Sequence, residues 1–99
     1  MNLRKETLEK LDDWGYKPEH VKWVGNSKKY CTWEEFEKNA DFEYDNGYGG
    51  NDIALSLVVV GEDWWLERHE YDGSEWWEFK KLPKLPEEKG EVKIKELQA

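Results

Sequence analysis

"WWLERHEYDGSEWW", residues 64–77, places a Trp-Trp pair on each side of an Asp-Gly turn and fills the interval with charge. Asp-Gly between two runs rich in aromatic residues is a strong short-range signal for a β-hairpin. Successive side chains in a strand point to opposite faces, so neither Trp pair can be wholly core or wholly surface. A two-residue turn at Asp72-Gly73 sets Arg68 opposite Trp77 and Leu66 opposite Phe79. One face then carries Trp64, Leu66, Arg68, Trp77 and Phe79; the other carries Trp65, Glu67, His69, Tyr71, Trp76, Glu78 and Lys80. A four-residue loop over 72–75 produces the same two faces but puts Lys80, in place of Glu78, opposite Glu67. Like charges directly opposite one another are destabilising, so the longer loop, with the second arm over 75–81, is the expected one.

Outward from the hairpin, "IALSLVVV" at 53–60 is the most apolar run, and its Val, Ile and Leu content suits a central strand covered on both faces. Gly61-Glu62-Asp63 turns the chain into the arm at 64–71, so 53–60, 64–71 and 75–81 form an antiparallel meander. Leu3, Thr7, Leu8, Leu11 and Trp14 recur at steps of three and four, which predicts a helix over 3–14 ending at Gly15. "HVKWVG" predicts a short strand closed by Gly25, Asn26 and Ser27. Thr32 followed by Glu35 is a capping box, with Cys31 and Phe36 at the staple positions, and it opens a second helix over 33–40. The expected fold is α+β: a three- to five-stranded antiparallel sheet with two helices on one face, presenting Leu8, Leu11, Trp33 and Phe36 to the apolar side of the hairpin. Residues 1–82 form the domain; in the tail, 83–99, Val92 and Ile94 alternate with Lys93 and Lys95, and it either adds an edge strand or stays loose.

A chain of 99 residues fits one domain, and its formal net charge is −8. Residues 1–31 hold seven Lys/Arg against five Asp/Glu, residues 32–79 hold two against fourteen, and residues 80–99 hold six against four. A central acidic block argues against direct binding of nucleic acid or an anionic membrane, both of which require clustered Lys and Arg. It favours a basic protein partner. With no apolar run of membrane-spanning length, and a lone cysteine, Cys31, that cannot make an intrachain disulfide, the expectation is a soluble cytoplasmic protein.

The second hairpin face mixes aromatics, a histidine and charges, the composition of an interface. Trp65, Glu67, His69, Tyr71, Trp76 and Glu78 are its candidate binding residues, with Trp65 and Trp76 as anchors. The loop "DFEYDNGYGGND", 41–52, is long for a compact domain and contributes Asp41, Glu43, Asp45, Tyr48 and Asp52 as further candidates. Asp41, Glu43, Asp45 and Asp52 stand at the first, third, fifth and twelfth positions of a calcium loop, but Asn46 occupies the sixth position, where glycine is required. "GYGG" precedes a strand and not a helix, so it is no phosphate cradle. His69 beside Glu67 and Tyr71 could exchange protons, yet two strands alone make no cleft. Cys31 at a helix start could be a nucleophile, but the staple position buries it. No catalytic residue, metal or cofactor is expected.

The segments "ADFEYDNGYGG" and "GEDWWLERHEYDGSEWWEF" resemble small acidic proteins carried by phages and prophages of Gram-positive bacteria. The resemblance implies an inhibitor of a host defence protein, such as a CRISPR effector, acting by occupation of a basic nucleic-acid channel. Charge and resemblance together suggest a non-enzymatic protein that binds a basic nucleic-acid-binding or defence protein, as a monomer or homodimer. A small-ligand or carbohydrate-binding module using Trp65, Tyr71 and Trp76 as platforms, or a homodimeric assembly protein, are the alternatives.

Overall fold

The Asp-Gly hairpin forms with the tighter of the two turns. In the computed structural model, which describes residues 1–47, 50 and 52–96, strands β4 (Trp64–Tyr71) and β5 (Ser74–Lys81) pair with Tyr71 opposite Ser74 and Arg68 opposite Trp77. Asp72 and Gly73 both have positive φ, 51° and 86°, the two-residue turn whose twist matches that of the strands. The four-residue loop expected from charge does not form, and Glu67 stands directly opposite Glu78.

Three shorter strands complete the sheet: β1 (Trp23–Gly25), β2 (Tyr30–Cys31) and β3 (Val58–Val60). Their order is β2-β1-β3-β4-β5 with every neighbour antiparallel, so the α+β class holds and the sheet is open, with β2 and β5 at its edges. The strand expected over 53–60 is reduced to its last three residues, because Ala54 to Leu57 is a turn closed by Leu57 N–H donating to the Ala54 carbonyl. It is central, but only Val59 is buried; Val58 and Val60 face the uncovered side. β2 was not legible, since it contributes only a pair of residues. The tail adds no strand within residues 82–96.

Helices α1 (Leu3–Asp13) and α2 (Trp33–Asn39) cover the inner face. The expected capping box closes the start of α2, with Glu35 N–H donating to Thr32 Oγ1 and the Glu35 carboxylate accepting from Thr32 N–H. Leu3, Leu11, Trp33 and Phe36 join Val24, Val59, Trp64, Leu66 and Trp77 in one core. Leu8 packs at its margin. Trp14 is not a core residue: it caps α1, half-exposed, and stacks on Phe79 with centroids 4.2 Å apart. Trp64 lies over Gly61, where any Cβ would overlap its indole. Trp77 is 1 % exposed and its indole N–H donates to Thr7 Oγ1 at 2.8 Å, so a large apolar ring is buried with its polar atom satisfied.

Arg68, expected on the inner face, is buried there with both terminal nitrogens engaged. Nη1 meets Glu6 Oε2 at 3.2 Å, Nη2 meets Glu75 Oε1 at 3.0 Å and the Tyr44 hydroxyl at 3.2 Å, and the guanidinium lies 4.8 Å from the centroid of the Trp77 ring. Burial works against its charge, but Tyr44, Glu6 and Glu75 outweigh that and hold its pKa above the ordinary value. Burial, together with the hydrogen bond to Glu6, pushes the Tyr44 phenol up to about 12. Glu75, 2 % exposed, also accepts from the backbone N–H groups of Asp52 and Ile53, at 2.7 and 3.0 Å, and so ties the end of the 41–52 loop to the sheet.

The parity of the hairpin has a direct consequence for stability. Trp77→Ala removes a fully buried indole and should cost about 3–5 kcal/mol, a large fraction of the stability of a typical domain. Trp76→Ala, on the other face, should cost less than about 1 kcal/mol. Urea unfolding of the two variants checks this; equal losses would mean that both faces are covered.

Candidate functional site

Among the described residues no helix lies on the outer face of the sheet. Strand alternation brings Trp65, Glu67, His69 and Tyr71 of β4 onto this side, and the pairings set Trp65 beside Lys80, Glu67 beside Glu78, His69 beside Trp76 and Tyr71 beside Ser74. All six expected face residues are therefore together. Trp76 is 37 % exposed and Tyr71 77 %, while Trp65 is half-buried. The β3 and β1 registers extend the face through Val58 and Val60 to Trp23, and on to Tyr30 of β2. Sequence reasoning missed this extension, because only the pairing of β1 with β3 reveals which side of the sheet Trp23 shares.

Two indole-carboxylate pairs organise the centre. Trp65 Nε1 donates to Glu67 Oε1 at 2.7 Å, and Trp76 Nε1 donates to Glu78 Oε2 at 2.8 Å. Each donor lies two residues before its acceptor on the same strand, the spacing that keeps both on one face. His69 Nε2 lies 2.6 Å from the second oxygen of Glu67, and its ring packs against Trp76 at 6.3 Å. The hydrogen bond from Trp65, then that from His69, lowers the Glu67 pKa against the effect of burial. The hydrogen bond from Trp76, helped by the charges of His69 and Lys80, lowers that of Glu78. The two carboxylates occupy directly opposed positions, and each accepts a hydrogen bond from an indole on its own strand that favours its ionised form.

The acidic loop lies elsewhere. Asp41 accepts from Asn2 Nδ2 at 3.0 Å and stands 3.8 Å from Arg4, while Glu43 pairs with the Met1 ammonium at 3.0 Å. Both are gathered at the N-terminus of α1, on the helix side. Asp52 accepts from the Asp45 backbone N–H, and Asn46 Oδ1 from that of Glu75. Tyr48 lies outside the described residues. The candidate set is thus two groups on different layers, and the loop charges are partly matched by α1. Among the described residues no three His, Cys, Asp or Glu side chains converge as metal ligands. Burial, with the charge of Glu35, raises the Cys31 pKa and so disfavours the thiolate.

At the other end of the face, Lys28 and Lys29 in the turn from β1 to β2, together with Lys22 just before β1, line an open cleft of about 360 Å³ with Trp23 and Tyr30. Among the described residues these lysines make no ion pair, so the outer face is acidic over β4 and β5 and basic beyond β1. No helix of the described chain is long and apolar enough to cross a membrane. No protein-family model matches the chain, and neither a curated protein nor a solved structure matches it.

The role of the Trp65 indole is measurable. A folded-state pKa that is lowered contributes stability above the ordinary glutamate value of 4.5 and loses it as pH falls through the lowered value. Trp65→Phe removes the donor and keeps the ring, so the Glu67 midpoint should rise toward 4.5 and acid destabilisation should begin at higher pH. Carboxyl NMR titration reads this directly. An unchanged midpoint would show that the indole does not hold the charge.

Proposed function

We propose that the protein is a non-catalytic binding protein whose outer sheet face docks on a basic protein surface. The observation that carries this is the pair Glu67 and Glu78: directly opposed, each hydrogen-bonded by an indole on its own strand, and flanked by Trp65 and Trp76 on a face that no helix of the described residues covers. Two adjacent carboxylates suit the forked donors of an arginine, and aromatic rings beside them suit the flat guanidinium. A cationic partner that reaches both carboxylates gains more here than at a single one. In its narrower form the proposal is an inhibitor of a nucleic-acid-binding or defence protein, the carboxylates standing where phosphates would lie in a basic groove. The acidic central block supports this by speeding association with such a groove. The carbohydrate alternative is weaker, because the His69 ring occupies part of the Trp76 stacking surface.

Capture from a bacterial extract, with wild-type chain and with the Glu67→Gln/Glu78→Gln and Trp76→Ala variants as baits, tests the proposal. A genuine partner should be retained by wild type, lose affinity by about 2 kcal/mol or more, some thirtyfold, with Trp76→Ala, and be displaced by single-stranded DNA. Its affinity should also fall as salt shortens the Debye length below about 8 Å. Partners held equally by all baits, or indifferent to salt, would overturn the reading.

A further inference from the structure

We infer that the β5 edge is the docking site for the C-terminal strand segment of a second copy of this chain, which makes the protein a reciprocal strand-exchanged dimer. The inference rests on the unpaired edge and the pattern of the tail and does not require the outer-face proposal, but its register seats tail lysines at Glu78 and Trp76, so the dimer and a basic partner would compete there.

In a hairpin with a two-residue turn, the residues flanking the turn exchange hydrogen bonds, and the pattern alternates from there. Tyr71 and Ser74 flank this turn, so Glu75, Trp77, Phe79 and Lys81 direct their N–H and C=O groups away from β4. Asn46 holds the outward N–H of Glu75; no loop or helix backbone bonds Trp77, Phe79 or Lys81 among the described residues. β5 is eight residues long with no proline and no bulge, and of its charged residues Glu75, Lys80 and Lys81 stand near its two ends, which leaves Trp77 and Phe79 as the open stretch.

The tail carries what this edge lacks. Val92 and Ile94 are 72 % and 87 % exposed and alternate with Lys93 and Lys95, a strand pattern with nothing to pair with. The chain's radius of gyration is 16.9 Å, against about 13 Å for a compact chain of this size, which agrees with a tail lying off the domain. One register satisfies both faces. Laid antiparallel with Ile94 opposite Trp77, the segment sets Val92 opposite Phe79 on the helix side, next to the half-exposed Trp14. On the outer side the same register sets Lys93 opposite Glu78, Glu91 opposite Lys80 and Lys95 over the Trp76 ring.

The neighbouring registers fail. A shift of one residue turns Val92 and Ile94 outward. A shift of two sets Lys93 against Lys80 or Glu91 against Glu78. A parallel alignment that keeps Lys93 beside Glu78 brings Lys95 beside Lys80.

A second copy is the favoured donor because of the connector. Pro83 and Pro86 hold themselves and the residues before them in extended backbone, so the chain leaves β5 on a stiff spacer, and a reversal in residues 87–90 would bring Glu91 back opposite Pro86 and not opposite Lys80. Donation to a partner requires no reversal. If each copy gives one strand and receives one, the contact closes as a two-fold dimer with no edge left at β5.

Sedimentation of the full chain without any other partner tests this. The wild type should show a concentration-dependent dimer, and Ile94→Pro, which removes the N–H facing Trp77, should raise its Kd at least about tenfold. Melting of the monomer should be unchanged, since Ile94 is exposed there. Lys93→Glu and Glu78→Lys should each weaken the dimer about threefold, and their combination should restore it. A wild type that stays monomeric up to about 1 mM, or a dimer indifferent to Ile94→Pro, would overturn the inference. So would a monomer whose Trp77 and Phe79 amides are protected from exchange until Ile94→Pro exposes them, because the tail would then be folding onto its own edge.

Discussion

The two-residue turn at Asp72-Gly73 is the constraint from which the rest of the molecule follows. Its parity decides that Trp64, Leu66, Arg68 and Trp77 share one side of the sheet and Trp65, Glu67, His69 and Trp76 the other. It also decides which backbone groups of β5 face outward, and so the character of the edge. A single added residue in the turn would exchange the faces of one arm, burying Trp76 and Glu78 and exposing Trp77. The positive φ values at both turn positions explain why Asp-Gly stands there: aspartate tolerates that region and glycine meets no steric penalty in it.

Parity puts an arginine in the core, and a buried guanidinium requires partners. Arg68 takes Glu6 from α1, Tyr44 from the loop and Glu75 from β5, and in doing so joins three parts of the chain that are distant in sequence. Among the described residues its Nε is the buried side-chain polar atom left without a partner. Such a network adds less to stability than its contacts suggest, since desolvation of the charges offsets much of their attraction. Its effect is positional: Glu75 accepts both from Arg68 and from the Asp52 and Ile53 backbone, which fixes where the loop rejoins the sheet.

The outer face shows the opposite solution to charge. Glu67 and Glu78 are placed opposite one another, and each accepts a hydrogen bond from an indole N–H on its own strand, with the charges of His69 and Lys80 acting in the same direction. The donors stabilise the ionised form but leave its charge available to a partner.

Much of this was legible from residue order alone. Strand period and the position of the turn placed Trp77 inside and Trp76 outside, and the capping box at Thr32 and Glu35 located α2. The preference for a longer loop failed because pairwise repulsion was weighed without the donors; Trp65 and Trp76 each sit two residues from a glutamate, a spacing that was visible. Glu75, the first residue of the expected arm over 75–81, was not read as a core partner; the observed register puts it diagonal to Arg68, on the inner face. The position of the acidic loop was not legible, since it depends on Asn2, Arg4 and the chain terminus, which lie some forty residues from Asp41 and Glu43. The sequence by itself determined the local elements, the faces of the hairpin and the sign of the charge on them, because these depend on neighbours within one strand or one helical turn. Only the tertiary structure decided that the loop acids lie apart from the aromatic face, that Trp23 and Tyr30 extend it, and that β5 is left as an open edge. Those depend on which distant strands pair, and strand order is set by long-range packing that no local pattern encodes.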